Sequence, residues 1–262
     1  HTSAIGASRS IRPWSTSCSA SSPMNALPTE YTLTSVSVCH GRVRASSAQP
    51  PARSTTVRPS ITTLTPATTD KGHLPLVLLS LPNLPDRSSA ILDQTDSPLD
   101  LLLWAVETLN GIGVERIAMP CNTAHHWYDI LAAASKAEFI HIADSVLADL
   151  TERCRGVRVA VLATRGTLSS GFYQSRLMDC GYQVCLPAGD EFQSNVDSAV
   201  ALVKAGIIDH ALTALRSSLQ LCVEANVDVA ILACTELSVL SGQLTDMPIE
   251  IVDSNEALAR SS

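Results

Sequence analysis

The stretch AMPCNTAHHWYDIL, residues 118–131, sets a cysteine directly after a proline and directly before Asn-Thr-Ala-His-His. Apolar residues precede it in strand fashion, and apolar positions at helical spacing follow it, so Cys121 stands at a strand-to-helix corner. About a hundred residues later AILACTELSVL, residues 230–240, repeats the arrangement around Cys234. Each corner also has a cation upstream: Arg87 stands 34 residues before Cys121, and Lys204 stands 30 before Cys234. The two frames read as an internal duplication of one α/β unit.

Working outward, the chain from about residue 74 alternates apolar runs with amphipathic segments. LPLVLLSL (74–81), RIAM (116–119), EFIHIA (138–143), VRVAVLA (157–163), YQVCLP (182–187), VDVAILA (227–233) and IEIVD (249–253) predict strands. Helices are predicted from Ser97-Pro98 to Gly111 and Gly113, then over 124–135, 145–153, 167–180, 190–205, 207–225 and 254–260. Strands that are apolar throughout, separated by helices, imply an α/β fold of parallel sheets covered on both faces. Ligands bind such sheets at the carboxyl ends of strands, where Cys121 and Cys234 both fall.

Two thiols facing each other across a cleft suit proton exchange at carbon, which needs a base on one face and an acid on the other. A helix N-terminus lowers a thiol's pKa toward neutrality, so one sulfur can be thiolate while its partner stays protonated. Moving a proton off one face and onto the other inverts the centre, and the pair should titrate as a coupled unit. Asn122, Thr123 and Thr235 are positioned to hold a carboxylate, with Arg87 or Lys204 holding a second one. Glu236 also suits the first turn of its helix, and Lys204 a helix end.

Other chemistries find less support. Cys121, His125 and His126 share a helix face but lack a third ligand at suitable spacing, so no metal is expected. His141 reads as a hydrogen-bonded core histidine. No G-x-S-x-G elbow and no G-x-x-x-x-G-K phosphate loop occurs. The eight cysteines show no compact disulfide framework in a chain of 262 residues, which points to reduced thiols and a cytoplasmic protein. No run of 18 apolar residues predicts a membrane span, and the first 30 residues lack a secretory signal's apolar block.

The net charge of −7 is split: residues 1–69 carry +5 and the remainder −12. The six arginines of the first part are scattered rather than arrayed on one face, so nucleic acid is not expected as a partner. Residues 1–57 are rich in Ser, Thr, Pro, Ala and Arg and sustain no helical or strand period. They read as a disordered tail or, given the abrupt change at 58–70, as a segment translated in a shifted frame, which resequencing of the gene tests.

Together these residues resemble the aspartate/glutamate racemase superfamily, most closely its aspartate racemase branch. The matching text is HLPLVLLSLPNLPDRSSAIL, AMPCNTAHHWYDIL, FIHIAD, VLATRGTLSSGFYQSRL, LVKAG and AILACTELSVL, within about residues 60–255. Thr235-Glu236 after the second cysteine is similar to aspartate racemases, whereas glutamate racemases have Thr-His there.

The resemblance implies a pyridoxal-independent, cofactor-free racemase, commonly a homodimer, acting on aspartate or a broader range of amino acids between two pseudo-symmetric α/β domains. These would span 58–143, with 250–262 returning, and 144–249. By motif, Cys121 and Cys234 would be the acid–base pair. Arg87, Lys204 and Glu236, with Asn122, Thr123, Thr164 and Thr235, would bind substrate. Maleate isomerases and arylmalonate decarboxylases share the architecture, and an inactive relative is the third reading. The family opens with a strand and a Gly-rich loop that residues 1–57 do not match, so the first sheet is expected to lack its central strand.

Overall fold

The computed structural model describes residues 35–39, 75–151, 157–187 and 189–262. They form two four-stranded sheets in which every pairing is parallel. The first contains β1 (Ser35–Cys39), β2 (Leu76–Ser80), β3 (Arg116–Ala118) and β4 (Glu138–Ile140), in the order β2-β1-β3-β4. The second contains β5 (Arg158–Ala163), β6 (Gln183–Val184), β7 (Val229–Ala233) and β8 (Glu250–Asp253), in the order β6-β5-β7-β8. One strand order, shifted by four, describes both sheets. The duplication read from the two cysteine frames is therefore a duplication of topology, with β3 equivalent to β7. Both sheets lie within one compact unit, Thr32–Ser262.

In the second sheet β7 is apolar throughout and β5 is apolar after Arg158, because both faces of these strands are covered. Ala160, Leu162, Ala230 and Leu232 pack with Val196, Leu215 and Leu219 of the helices Glu191–Ala205 and Ile208–Glu224. The alternate residues Val159, Val161, Val229 and Ile231 pack with Val146, Leu150, Tyr173 and Leu177 on the other side. In the first sheet Ile117 packs with Leu102, Val106 and Leu109 of the helix Leu99–Ile112. That helix is entered through Leu99 N–H donating to Ser97 Oγ (3.2 Å) and left through Gly113 at φ 81°.

Several expectations are corrected. The first sheet does not lack its central strand: Ser35–Cys39 fills that slot, paired with Leu76–Ser80 along its length and with β3 through Ser37 and Ala118. The other calls on residues 1–57, disorder or a shifted frame, lie outside the described residues. Residues 250–253 stay with the second sheet through pairing of β8 with β7. Of the C-terminal segment, the helix Ser254–Ser261 reaches the first sheet, setting Leu258 against Ala118, Ile140 and Ile142. The helix predicted over 167–180 is two, Arg165–Ser170 and Phe172–Asp179, broken at Gly171 with φ 71°. The run 138–143 is strand only to Ile140, because Ile142 opens a helix to Thr151. Arg87, in a stretch for which no element was predicted, begins the helix Arg87–Leu92, which Asp86 caps by accepting from Ser89 N–H (2.8 Å).

Candidate active site

Cys121 lies just beyond the carboxyl end of β3, in a turn held from behind. Its N–H donates to Met119 O (2.8 Å), and its own carbonyl accepts from Ala124 N–H (3.1 Å) and from His125 Nδ1 (3.0 Å). Ile142 N–H donates to His125 Nε2 (3.2 Å), so the ring proton sits on Nδ1. Burial holds His125 neutral, with its pKa lowered to about 4. His141, 4.8 Å away ring to ring and 3% exposed, is lowered to about 2 by burial and by its histidine neighbour. Both ring nitrogens of His125 are thus engaged with backbone, and His126 Nδ1 is 3.1 Å from Ser170 Oγ. His125 braces the cysteine turn.

Cys234 follows β7 immediately and is the N-cap of the helix Thr235–Ser238. Its thiol donates to Glu236 Oε2 (3.1 Å), the same oxygen that accepts from Thr235 Oγ1 (3.2 Å), while Lys204 Nζ lies 3.9 Å from Glu236 Oε1. Burial, then the Glu236 carboxylate, push the Cys234 pKa well above a thiol's ordinary value, against a smaller opposing pull from Lys204. At this corner a single turn of helix supplies less than desolvation and a carboxylate take away.

The corners meet in one cavity. Arg87, Cys121, Asn122 and Thr123 line it from the first half, and Thr164, Lys204, Cys234, Thr235 and Glu236 from the second. All nine sequence-designated residues are brought together. The space is tight, about 30 Å³. A larger cavity of about 510 Å³, beside Ser241, Met247, Ile251 and Asp253, contains neither cysteine.

Sequence reading missed Asp86 and Ser88, which complete the lining. Asp86 carried a signal, a capping residue after a proline with Ser89 three positions on. Burial raises its pKa, but the Ser89 N–H bond and the Arg87 and Lys204 cations outweigh that and hold it below the ordinary carboxylate value. Arg87 donates through Nη1 to Pro85 O (3.1 Å), and its buried Nε has no hydrogen-bond partner among the described residues.

Thr123 Oγ1 lies 2.9 Å from both Thr164 Oγ1 and Thr167 Oγ1, which are 3.0 Å apart, a hydroxyl triangle tying the halves. Asn122, 2% exposed, has both ends of its amide engaged by Tyr173 and Ser254, neither of which the sequence marked.

Residues 51–261 match the family described as Asp/Glu/Hydantoin racemase. The chain is 28% identical over 193 residues to the broad specificity amino-acid racemase RacX of Bacillus subtilis, covering 74% of this chain and 81% of that one. The structure of Picrophilus torridus aspartate racemase superposes with a TM-score of 0.73 at 28% identity, over 88% of this chain and 92% of that chain. Glutamate racemase from Aquifex pyrophilus, at 20% identity and a TM-score of 0.55 over 87% of this chain and 82% of that one, shares the fold. No helix among the described residues is long and apolar enough to cross a membrane. With a family match over most of its length and a relative's fold reproduced around paired cysteine corners, the chain belongs to the Asp/Glu/hydantoin racemase family and is accordingly a racemase, an isomerase.

Proposed function

We propose that the protein racemises aspartate, or a broader range of amino acids, by two-thiol proton transfer without a cofactor. The observation that carries this reading is that Cys121 and Cys234, from equivalent positions in two sheets, line a single cavity. In one direction deprotonated Cys121 takes the α-proton, leaving the electron pair on the substrate as an enolate-like carbanion. Cys234, protonated at neutral pH by its environment, delivers a proton to the opposite face. The reaction leaves Cys121 as thiol and Cys234 as thiolate, with Lys204 nearby to balance the charge. The reverse reaction restores the pair.

The unpartnered Arg87 Nε suits a substrate carboxylate, which favours an acidic side chain. Glu236 already occupies Lys204, so that cation serves the thiol corner before it serves a substrate. The broad-specificity relative and the aspartate racemase neighbour bracket the same range.

The test is racemisation followed by chiral chromatography across an amino-acid panel, with maleate offered in parallel. Cys121→Ser and Cys234→Ser should each abolish racemisation while still exchanging the α-proton of one enantiomer with deuterium. Full racemisation by either variant overturns the mechanism, and turnover of maleate alone moves the protein to another branch of the superfamily.

A further inference from the structure

Asn122 is the residue after Cys121, and its side chain is not free to meet a substrate as a whole. Tyr173 O–H donates to Asn122 Oδ1 (2.7 Å), Asn122 Nδ2 donates to Ser254 Oγ (3.0 Å), and Ser254 O–H donates to Leu232 O (2.8 Å). Leu232 lies in β7 two residues before Cys234. The chain of bonds has one direction throughout, from a phenol through an amide and a hydroxyl to a backbone carbonyl. Its members are 1%, 2%, 0% and 0% exposed in that order, so water does not compete for any link. Tyr173 remains a donor, because burial raises its phenol pKa above the ordinary value.

The three side chains come from three elements: the turn after β3, the helix Phe172–Asp179 and the start of the helix Ser254–Ser261. Asn122 belongs to the first half, and Tyr173 and Leu232 to the second. Ser254 adjoins Asp253, which pairs with Leu232 in the sheet. The route from one cysteine to the other therefore runs through two buried side chains rather than through the cavity they line. Buried polar links of this kind fix geometry, since an alternative arrangement leaves an unpaired amide or hydroxyl.

We propose that Ser254 and Tyr173 are positioning residues that set the separation of the Cys121 and Cys234 corners, with Asn122 as the strut between them. The inference rests on the two-thiol reading for its kinetic consequence and on geometry alone for its structural one. Inversion needs both sulfurs correctly placed on one carbon, whereas exchange with solvent needs one. Loosening the strut then separates the two activities.

The experiment compares wild type, Ser254→Ala and Tyr173→Phe, each normalised to its folded fraction. Ser254→Ala should lower the racemisation kcat about tenfold or more, with KM and one-sided α-deuterium exchange changed by less than about threefold. Tyr173→Phe, which removes one oxygen and keeps the ring, should move the same ratio in the same direction by less.

Bridging of the two thiols by dibromobimane, followed by peptide mass mapping, reads the geometry without turnover. It should be several-fold slower in Ser254→Ala while single alkylation by iodoacetamide is unchanged. Bridging at the wild-type rate in Ser254→Ala, or inversion and exchange falling together, overturns the strut. A wild type that bridges but racemises nothing overturns the function alone. The strut is then decided by bridging in Ser254→Ala. A wild type that does not bridge overturns both.

Discussion

The two cysteine corners are equivalent in topology and opposite in support. The first is held from behind by a neutral imidazole: His125 donates to the Cys121 carbonyl and accepts from Ile142 N–H. The second is held by a carboxylate, through Ser238 Oγ donating to Asp253 Oδ1 (2.7 Å) from the helix that begins at Cys234. The first thiol has no carboxylate bonded to it among the described residues, while the second donates to Glu236. A duplicated scaffold has thus been given two kinds of anchor. The difference suits a pair in which one sulfur must part with its proton and the other must keep it.

Acid offers the largest way to break this comparison, because it works against the neutral imidazole of the first anchor and favours the neutral form of Asp253 in the second. The folded-state pKa of His125 lies at about 4 against a reference value of 6.5, so its contribution is full above pH 6.5 and is lost as pH falls toward 4. The share is roughly 3 kcal/mol for His125. His141, lowered to about 2, adds to the same slope over a wider range. Urea unfolding between pH 7 and 4 should show stability falling on this limb, and His125→Gln should flatten it while costing stability at pH 7. A variant with an acid limb as steep as the wild type's removes the imidazole from the account.

At Gly166 the second half packs close against the first corner. A Cβ there would lie 2.8 Å from Ser88 Cα and 3.0 Å from Thr123 Cγ2, and the former is backbone that cannot swing aside. Gly166→Ala should push the Arg87 and Thr123 side of the cavity away from the Thr164 side. A loss of between ten- and a hundredfold in kcat/KM is expected, in line with misplacement of about 1 Å. Activity at the wild-type level would show that the halves tolerate a wider gap than the two-sulfur geometry allows.

The second corner is sharpened by Glu236→Gln. Replacing the carboxylate by an amide removes the charge that pushes the Cys234 thiol upward and keeps an acceptor, leaving burial as the chief cause. In a Cys121→Ser background, the pH midpoint for alkylation of Cys234 should move to lower pH. An unmoved or raised midpoint assigns the shift to desolvation alone.

What could be read from the chain follows from range. The cysteine corners and the central strands of the second sheet are legible because their signals are contiguous: an apolar run, then Cys-Thr-Glu after β7 or Cys-Asn-Thr after β3. Ser35–Cys39 was not legible. Its sequence, SVSVC, is short, sits in a Ser- and Thr-rich stretch, and becomes a strand only through partners some forty and eighty residues away, at Leu76–Ser80 and Ala118. Tyr173 and Ser254 carry no motif, since their importance lies in meeting Asn122 across 51 and 132 residues of chain. Which of the two thiols stays protonated was not legible for a related reason. The residue types were visible, but the burial that lets desolvation outweigh a helix terminus was not.

Asp253 gives the smallest effect and the finest division of the second anchor. It caps the helix Ser254–Ser261 by accepting from Asn255 N–H (2.9 Å), and it holds Ser238. Burial raises its pKa despite four opposing hydrogen bonds, so the folded state favours the neutral form and loses stability as pH rises through the raised value. Asp253→Asn keeps an acceptor for the cap and for Ser238 and removes the charge. It should leave the melting temperature at pH 7 unchanged or higher. Asp253→Ala loses the cap and should cost about 1 kcal/mol. Were Asn to cost as much as Ala, the charge itself would be the anchor, and the second corner would resemble a buried ion rather than a capped helix. Since Ser238 ends the helix that Cys234 begins, a shift in Cys234 alkylation rate in Asp253→Ala but not in Asp253→Asn traces the support to that single hydroxyl contact.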